Sequence, residues 1–271
     1  MKKTCIYVAT HKKFDVPNKD EYIPIEVGAD LRDCHYGYTM DNTGDNISIK
    51  NKNYCELTAL YWIWKNSDAD IAGLVHYRRY FSRYRYDTNS KYFLSSRDVE
   101  AILEKKDIIL PEEFVWRHHN LAEGYDSGAG YLKDLRVVEK IILDRHPQYI
   151  DTYRNILSSS HASYCNMMIT KKKDFDDYCA WLFDILFEAE KMIDIEYYTS
   201  AEKRIFGYMS ELLLNVWVNH NRKSIYYAPM VNTEINGNLA KYIYPKLEKI
   251  PLLEYIIPTK KCVDKKRWEL V

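Results

Sequence analysis

One run of residues limits what this chain can become more than any other. Ile71-Ala72-Gly73-Leu74-Val75 is followed without a break by His76-Tyr77-Arg78-Arg79-Tyr80-Phe81. The apolar half reads as a strand, and it stops abruptly in a histidine, two adjacent arginines and two aromatics. In an open parallel sheet, ligands collect outside the carboxyl ends of the strands, so a strand with this ending carries those side chains to the crevice. Two guanidinium forks beside aromatic faces suit an anion that carries rings, such as a diphosphate joined to a nucleoside and a sugar. The plainer alternative is a solvated loop whose arginines pair with some of the chain's 39 acidic residues.

Charge narrows the partners. The acidic residues are matched by 39 Lys and Arg, for a formal net charge of zero. Without a basic excess to displace counterions, binding to nucleic acid through bulk electrostatics is not expected. A chain of 271 residues can bury a substantial core, as one large domain or one domain with appendages. Its six cysteines (Cys5, Cys34, Cys55, Cys165, Cys179 and Cys262) form no C-x-x-C pair. They read as small thiols of a reducing compartment rather than zinc ligands or a disulfide framework. The first apolar run, Cys5 to Ala9, is too short for a signal peptide and reads as a first strand. No run approaches the roughly 20 apolar residues of a membrane span. The expectation is a cytoplasmic protein that meets a membrane, if at all, at its inner surface. The 25 tyrosines fit sugar and base recognition, and equally wet cores and interfaces.

Strand and helix signals alternate. After the first strand and a polar loop, Asp41 to Asn51, a helix is predicted from about Asn53 to Lys65, capped by Asn53 with Glu56 three residues on. Ile71 to Val75 is the next strand. Ser95-x-x-Asp98 opens a helix, and Asp107 to Leu110 is a strand stopped by Pro111. Leu132, Leu135, Val138 and Ile142 mark a helix that ends before Pro147. Tyr164 to Thr170 reads as a strand, and Asp174 as the cap of a long amphipathic helix. A further helix covers about Glu202 to Val218, and Ile225 to Ala228 is a late strand. This alternation predicts an α/β protein with a mostly parallel sheet. We expect one domain over residues 1–235 and a C-terminal extension over 236–271. In that extension Lys260, Lys261, Lys265, Lys266 and Arg267 surround Trp268, as a membrane contact or a solvated terminus.

Several motifs could carry chemistry. Asp68-Ala69-Asp70 has the form of a metal-binding pair, but it precedes its strand and falls at the sheet edge away from the crevice. Cationic side chains stand where such a pair would be expected, so a divalent metal is left open. The loop from Asp41 to Ser48 is either a turn leading into a helix or a holder of sugar hydroxyls. Arg204, Tyr208, Glu211 and Asn215 form one polar stripe on a helix apolar elsewhere. A carboxylate there needs a partner, Arg204 or Tyr208, or a job as a general base. Asn166 sits in an apolar run, bonding locally or facing a ligand. His118 and His119 follow Trp116 and Arg117 in a loop with Gly124, Gly128 and Gly130 that could order over a substrate.

Taken together, Asn46-Ile47-Ser48, Tyr54 to Trp62, Gly73 to Phe81, Asn166 to Ile169, Phe175 to Phe183 and Phe206 to Trp217 resemble one family. It is a family of bacterial capsule and exopolysaccharide glycosyltransferases, long labelled a domain of unknown function and marked by its His-Tyr-Arg-Arg-Tyr-Phe stretch. The resemblance implies a GT-A-like, Rossmann-type sheet with helices on both faces. It further implies transfer of a hexose, galactose or galactofuranose, from a UDP-sugar; we expect the acceptor to be a polysaccharide or lipid-linked saccharide and the anomeric centre to be inverted. On that basis Glu211, Arg78 and Arg79 are expected to be catalytic. Thr10, His11, Asp45, Asn46, His76 and Tyr77 are expected at the donor, and Asn166, Tyr208, His118 and His119 at the acceptor. Two positions depart from the family pattern: Leu212 stands where Arg is usual, and Met168 where Phe is commoner. A non-catalytic glycan- or nucleotide-binding module and a nucleotide-sugar hydrolase are the alternatives.

Overall fold

The computed structural model describes residues 2–85 and 87–235; the expected C-terminal extension and its basic cluster lie outside them. The strands are β1 (Thr4–Thr10), β2 (Tyr22–Glu26), β3 (Thr39–Met40), β4 (Ile71–His76), β5 (Arg79–Phe81), β6 (Ile108–Pro111), β7 (Phe114–Val115), β8 (His161–Ala162), β9 (Met168–Lys171), β10 (Ile225–Ala228) and β11 (Met230–Asn232). The α-helices are α1 (Asn51–Tyr54), α2 (Leu57–Asn66), α3 (Ser96–Leu103), α4 (Leu121–Gly128), α5 (Leu132–Arg145), α6 (Ile150–Ser158), α7 (Lys172–Met192) and α8 (Ile205–His220).

The main sheet runs β10-β6-β9-β4-β1-β2-β3, with β5 and β11 attached at the end of β4. β1 pairs in parallel with both β2 and β4, β2 with β3, and β10 with β6. β9 is antiparallel to its two neighbours. The result is a Rossmann-type α/β fold with a mostly parallel sheet, as the alternation of elements predicts. Side chains alternate across the sheet. Cys5, Tyr7, Ala9, Ala72 and Leu74 join one core with α2, α5, α7 and α8, while Ile6, Val8, Ile71 and Val75 join a second with α3. Helices therefore cover both faces. β1 and β4 are buried on both sides, which is why they read as unbroken apolar runs.

Local signals account for several boundaries. Ser95 and Asp98 form the expected reciprocal cap: Asp98 N–H donates to Ser95 Oγ, and Ser95 N–H to Asp98 Oδ2. Three expectations are corrected. The helix expected from Asn53 is broken: Cys55 has φ 53°, so α1 ends at Tyr54 and α2 starts at Leu57. Asn53 is no cap and donates to Lys203 O. The strand expected over Tyr164–Thr170 begins only at Met168, because Cys165 and Asn166 have φ 76° and 50°, outside any strand conformation. α7 starts two residues before Asp174, which sits in its first turn and pairs with Lys223 Nζ at 2.8 Å.

Candidate active site

At the carboxyl ends of β1 and β4 lies a cavity of about 590 Å³, within the range of ligand pockets. β1 contributes Ala9 and Thr10, followed by His11; β4 contributes His76 at its end. The chain then reverses in the two-residue turn Tyr77-Arg78 and returns as β5, where Arg79 pairs with His76. This hairpin puts His76, Tyr77, Arg78 and Arg79 together in the wall. The opposite wall is made by Asn51, Lys52, Cys55 and Glu56 around the α1–α2 break, and by Arg204, Gly207, Tyr208 and Glu211 at the start of α8. Cys165 closes the space between them.

The carboxylates are held rather than loose. Glu211 Oε1 accepts from Cys165 N–H at 2.8 Å, and not from Arg204 or Tyr208. Four residues on, Asn215 binds the backbone N–H and C=O of Ser163 at 3.0 and 2.9 Å, so the polar stripe of α8 pins the loop that precedes β9. Asn166 Nδ2 donates to Glu56 Oε1 at 2.7 Å and to Gly207 O at 3.0 Å, while its Oδ1 accepts from Ser210 Oγ at 2.8 Å. Arg204 Nε reaches Cys55 Sγ at 3.1 Å and its guanidinium lies over the Tyr208 ring. Four described non-glycine residues have positive φ, and three of them, Cys55, Cys165 and Asn166, belong to this constellation. Such backbone costs energy and persists where surrounding bonds dictate it, most often at functional sites.

Burial shapes the electrostatics. It pushes the Glu211 carboxyl up to about 8, helped by the charge of Glu56 and opposed by the Cys165 N–H, Arg79 and Arg204. Burial holds His76 below the ordinary histidine range, against the pull of Glu56. His76 Nε2 sits 2.7 Å from Cys165 O, so that nitrogen carries the hydrogen and Nδ1 is left as an acceptor. Cys55 and Cys165 are pushed up to about 11 and about 12, chiefly by burial, and stay thiols. Lys52, Arg78, Arg79 and Arg204 supply four cations against two carboxylates.

Of the residues expected at the site, Thr10, His11, His76, Tyr77, Arg78, Arg79, Tyr208 and Glu211 line this one cavity. Asn166 stands behind it, holding Glu56. Asp45, Asn46, His118 and His119 do not line it. Asp45 accepts from Tyr61 OH on α2, and Asn46 Oδ1 accepts from Ser48 N–H within the loop before α1. His119 lies 3.8 Å from Glu123 at the start of α4. Glu56, Arg204, Asn51 and Lys52 were not expected in the wall. The one sequence signal for Glu56 was its place three residues after Asn53, which reads as a helix cap. Asp68 and Asp70 engage Lys3 at the other end of the sheet. Among the described residues no group of three or more His, Cys, Asp or Glu is placed to hold a metal ion. The five described cysteines are free, and no described helix is long and apolar enough to cross a membrane.

Residues 5–222 match the family described as a domain of unknown function, DUF4422. No curated protein matches the chain. The chain is similar to the apo structure of the bifunctional glycosyltransferase WbbM, with a TM-score of 0.80 and 30% identity over 85% of this chain. It spans 45% of that longer protein.

Proposed function

The chain belongs to the DUF4422 family, and from that premise we propose that it is a glycosyltransferase using a UDP-hexose donor. The observation that carries the reading is one cavity, at the carboxyl ends of two parallel strands, lined both by the arginines of the β4–β5 hairpin and by the half-buried carboxylate of Glu211 on α8. The likeness to a bifunctional glycosyltransferase supports the reaction class. The sugar we propose is galactose or galactofuranose, and the acceptor a growing surface polysaccharide or lipid-linked saccharide.

Arg78 and Arg79 bind the diphosphate and stabilise the charge that develops on departing UDP. Glu211 takes the proton of the acceptor hydroxyl as that oxygen bonds to the anomeric carbon. The bond from the anomeric carbon to the phosphate oxygen breaks on the opposite side, so configuration inverts. Tyr208 and His76 Nδ1 orient sugar hydroxyls, and Asn166 acts through Glu56. No covalent intermediate is needed; positioning and charge stabilisation supply the rate. Each of these steps is written with the chain's own groups. Glu211→Gln should lower turnover about a hundredfold or more while UDP affinity holds. An active variant would remove Glu211 as the base, and loss of UDP affinity would make it a binding group instead.

A further inference from the structure

At the lip of the cavity one carboxylate is shared by two cations. Glu234 Oε1 lies 2.8 Å from Lys12 Nζ, and Glu234 Oε2 lies 2.9 Å from Arg78 Nη1. Both cations lie over the ring of Tyr77, Lys12 Nζ at 4.7 Å and Arg78 Cζ at 5.5 Å from its centroid. The backbone delivers Glu234 to this place. β11 pairs with β5, Thr233 N–H donates to Arg78 O at 2.9 Å, and Glu234 N–H donates to Asn232 Oδ1 at 3.0 Å.

The surroundings are those of an anion site. Next to it, the His11 ring packs edge-on against Tyr77, and the His11 carbonyl accepts from Arg32 Nη1. His11 is held below its ordinary range by burial and then by Lys12, Arg32, Arg78 and Arg204. Glu234 alone brings one negative charge to the two cations it touches. The side chains of Lys12, Arg78 and Glu234 are 47%, 38% and 39% exposed, so water competes for each pair and the contact can exchange. Lys12 and Arg78 hold the Glu234 carboxyl down to about 2, so protonation does not release it at working pH. A competing anion can. A phosphate group, with more charge and a third oxygen, satisfies two cations better than a carboxylate does.

We propose that Lys12 and Arg78, set across the Tyr77 ring, form a phosphate subsite in which Glu234 is an internal stand-in that the bound anion displaces. That the anion is the diphosphate of a sugar donor rests on the function proposed above; the subsite itself does not. Lys12 thereby becomes a binding residue, and Glu234 a built-in competitor that sets how much donor is needed.

The test is calorimetric titration of the full-length protein and Glu234→Gln with inorganic pyrophosphate and, separately, with UDP. Glu234→Gln should bind pyrophosphate about fivefold more tightly, the scale of two exposed ion pairs. Adding Lys12→Gln should remove that gain. The substitution is at an exposed rim and nearly isosteric, and its thermal midpoint, measured alongside, should stay near that of the parent. Pyrophosphate affinity unchanged or weakened in Glu234→Gln would overturn the subsite. Tightened pyrophosphate with no UDP binding to either protein would keep the subsite and sink the donor reading. UDP binding without any change for pyrophosphate would do the reverse.

Discussion

Glu211 is the residue whose chemistry depends most on its neighbours. A carboxyl held at about 8 is mostly protonated at neutral pH, so a reaction that uses it as base should speed up as pH rises toward 8 and then level off. Part of that elevation comes from Glu56. Glu56→Gln should therefore move the rising limb of the kcat profile to lower pH. An unmoved limb would mean that another group titrates. Asn166→Ala releases Glu56 from its 2.7 Å bond and should shift the same limb, whereas a merely structural role would change stability alone. Stability carries a matching signature. A carboxyl raised in the folded state binds its proton more tightly there than in the unfolded chain, where its pKa is near 4.5. Its contribution is complete below about 4.5 and is lost as pH rises to about 8. Urea midpoints should fall across that window, and Glu211→Gln should flatten the fall.

At the scale of elements, the β4–β5 hairpin and the α1–α2 break build the two walls, and they differ in how far the sequence announces them. β4 is an apolar run closed by charged residues, so its end and the side chains it delivers are visible at once. β9 is equally apolar, but nothing in its composition states that it runs antiparallel or starts only after Asn166. The break at Cys55 is hidden further, because Tyr54, Leu57, Leu60 and Tyr61 keep a helical spacing straight through it. Asn53 and Glu56 imitate a cap there, and a φ of 53° at a cysteine leaves no mark in the residue type. The polar loop misleads in the opposite sense: Asp45 and Asn46 look like ligand-binding side chains, but Asp45 is taken by Tyr61 of α2 and Asn46 by its own turn. Gly73 tests how tightly the hairpin strand is seated. A Cβ there would come within 2.6 Å of Ile169 Cγ1 and 3.1 Å of Met168 O on β9. Gly73→Ala should cost about 1–3 kcal/mol in urea unfolding, the usual scale of overpacking. A neutral result would mean that β9 can move aside.

Across the whole molecule, the cavity gathers β1, β4, the α1–α2 break, the loop before β9 and α8, segments spread from residue 9 to residue 211. A ligand that bridges them binds only the folded chain, so its free energy appears as stability. At 100 times its dissociation constant UDP should add about 2.7 kcal/mol, visible as a raised melting temperature. GDP and dTDP should add less if the base is read, and shifts equal to that of UDP would confine recognition to the parts the three share; CMP, with one phosphate, should add least. Manganese separates two sources of positive charge. Asp41, one carboxylate near enough in sequence to the expected donor loop to serve as a ligand, is buried and accepts from Gly28 N–H, Ala29 N–H and Ser48 Oγ. Asp45 is taken by Tyr61. With those carboxylates spent and four cations in the wall, the UDP shift should be the same with manganese or with a chelator present. A shift that needs manganese would instead show that Glu56 and Glu211 turn toward a metal when the nucleotide binds. Glu56→Gln would then abolish the shift, where the arginine-based site predicts that it survives.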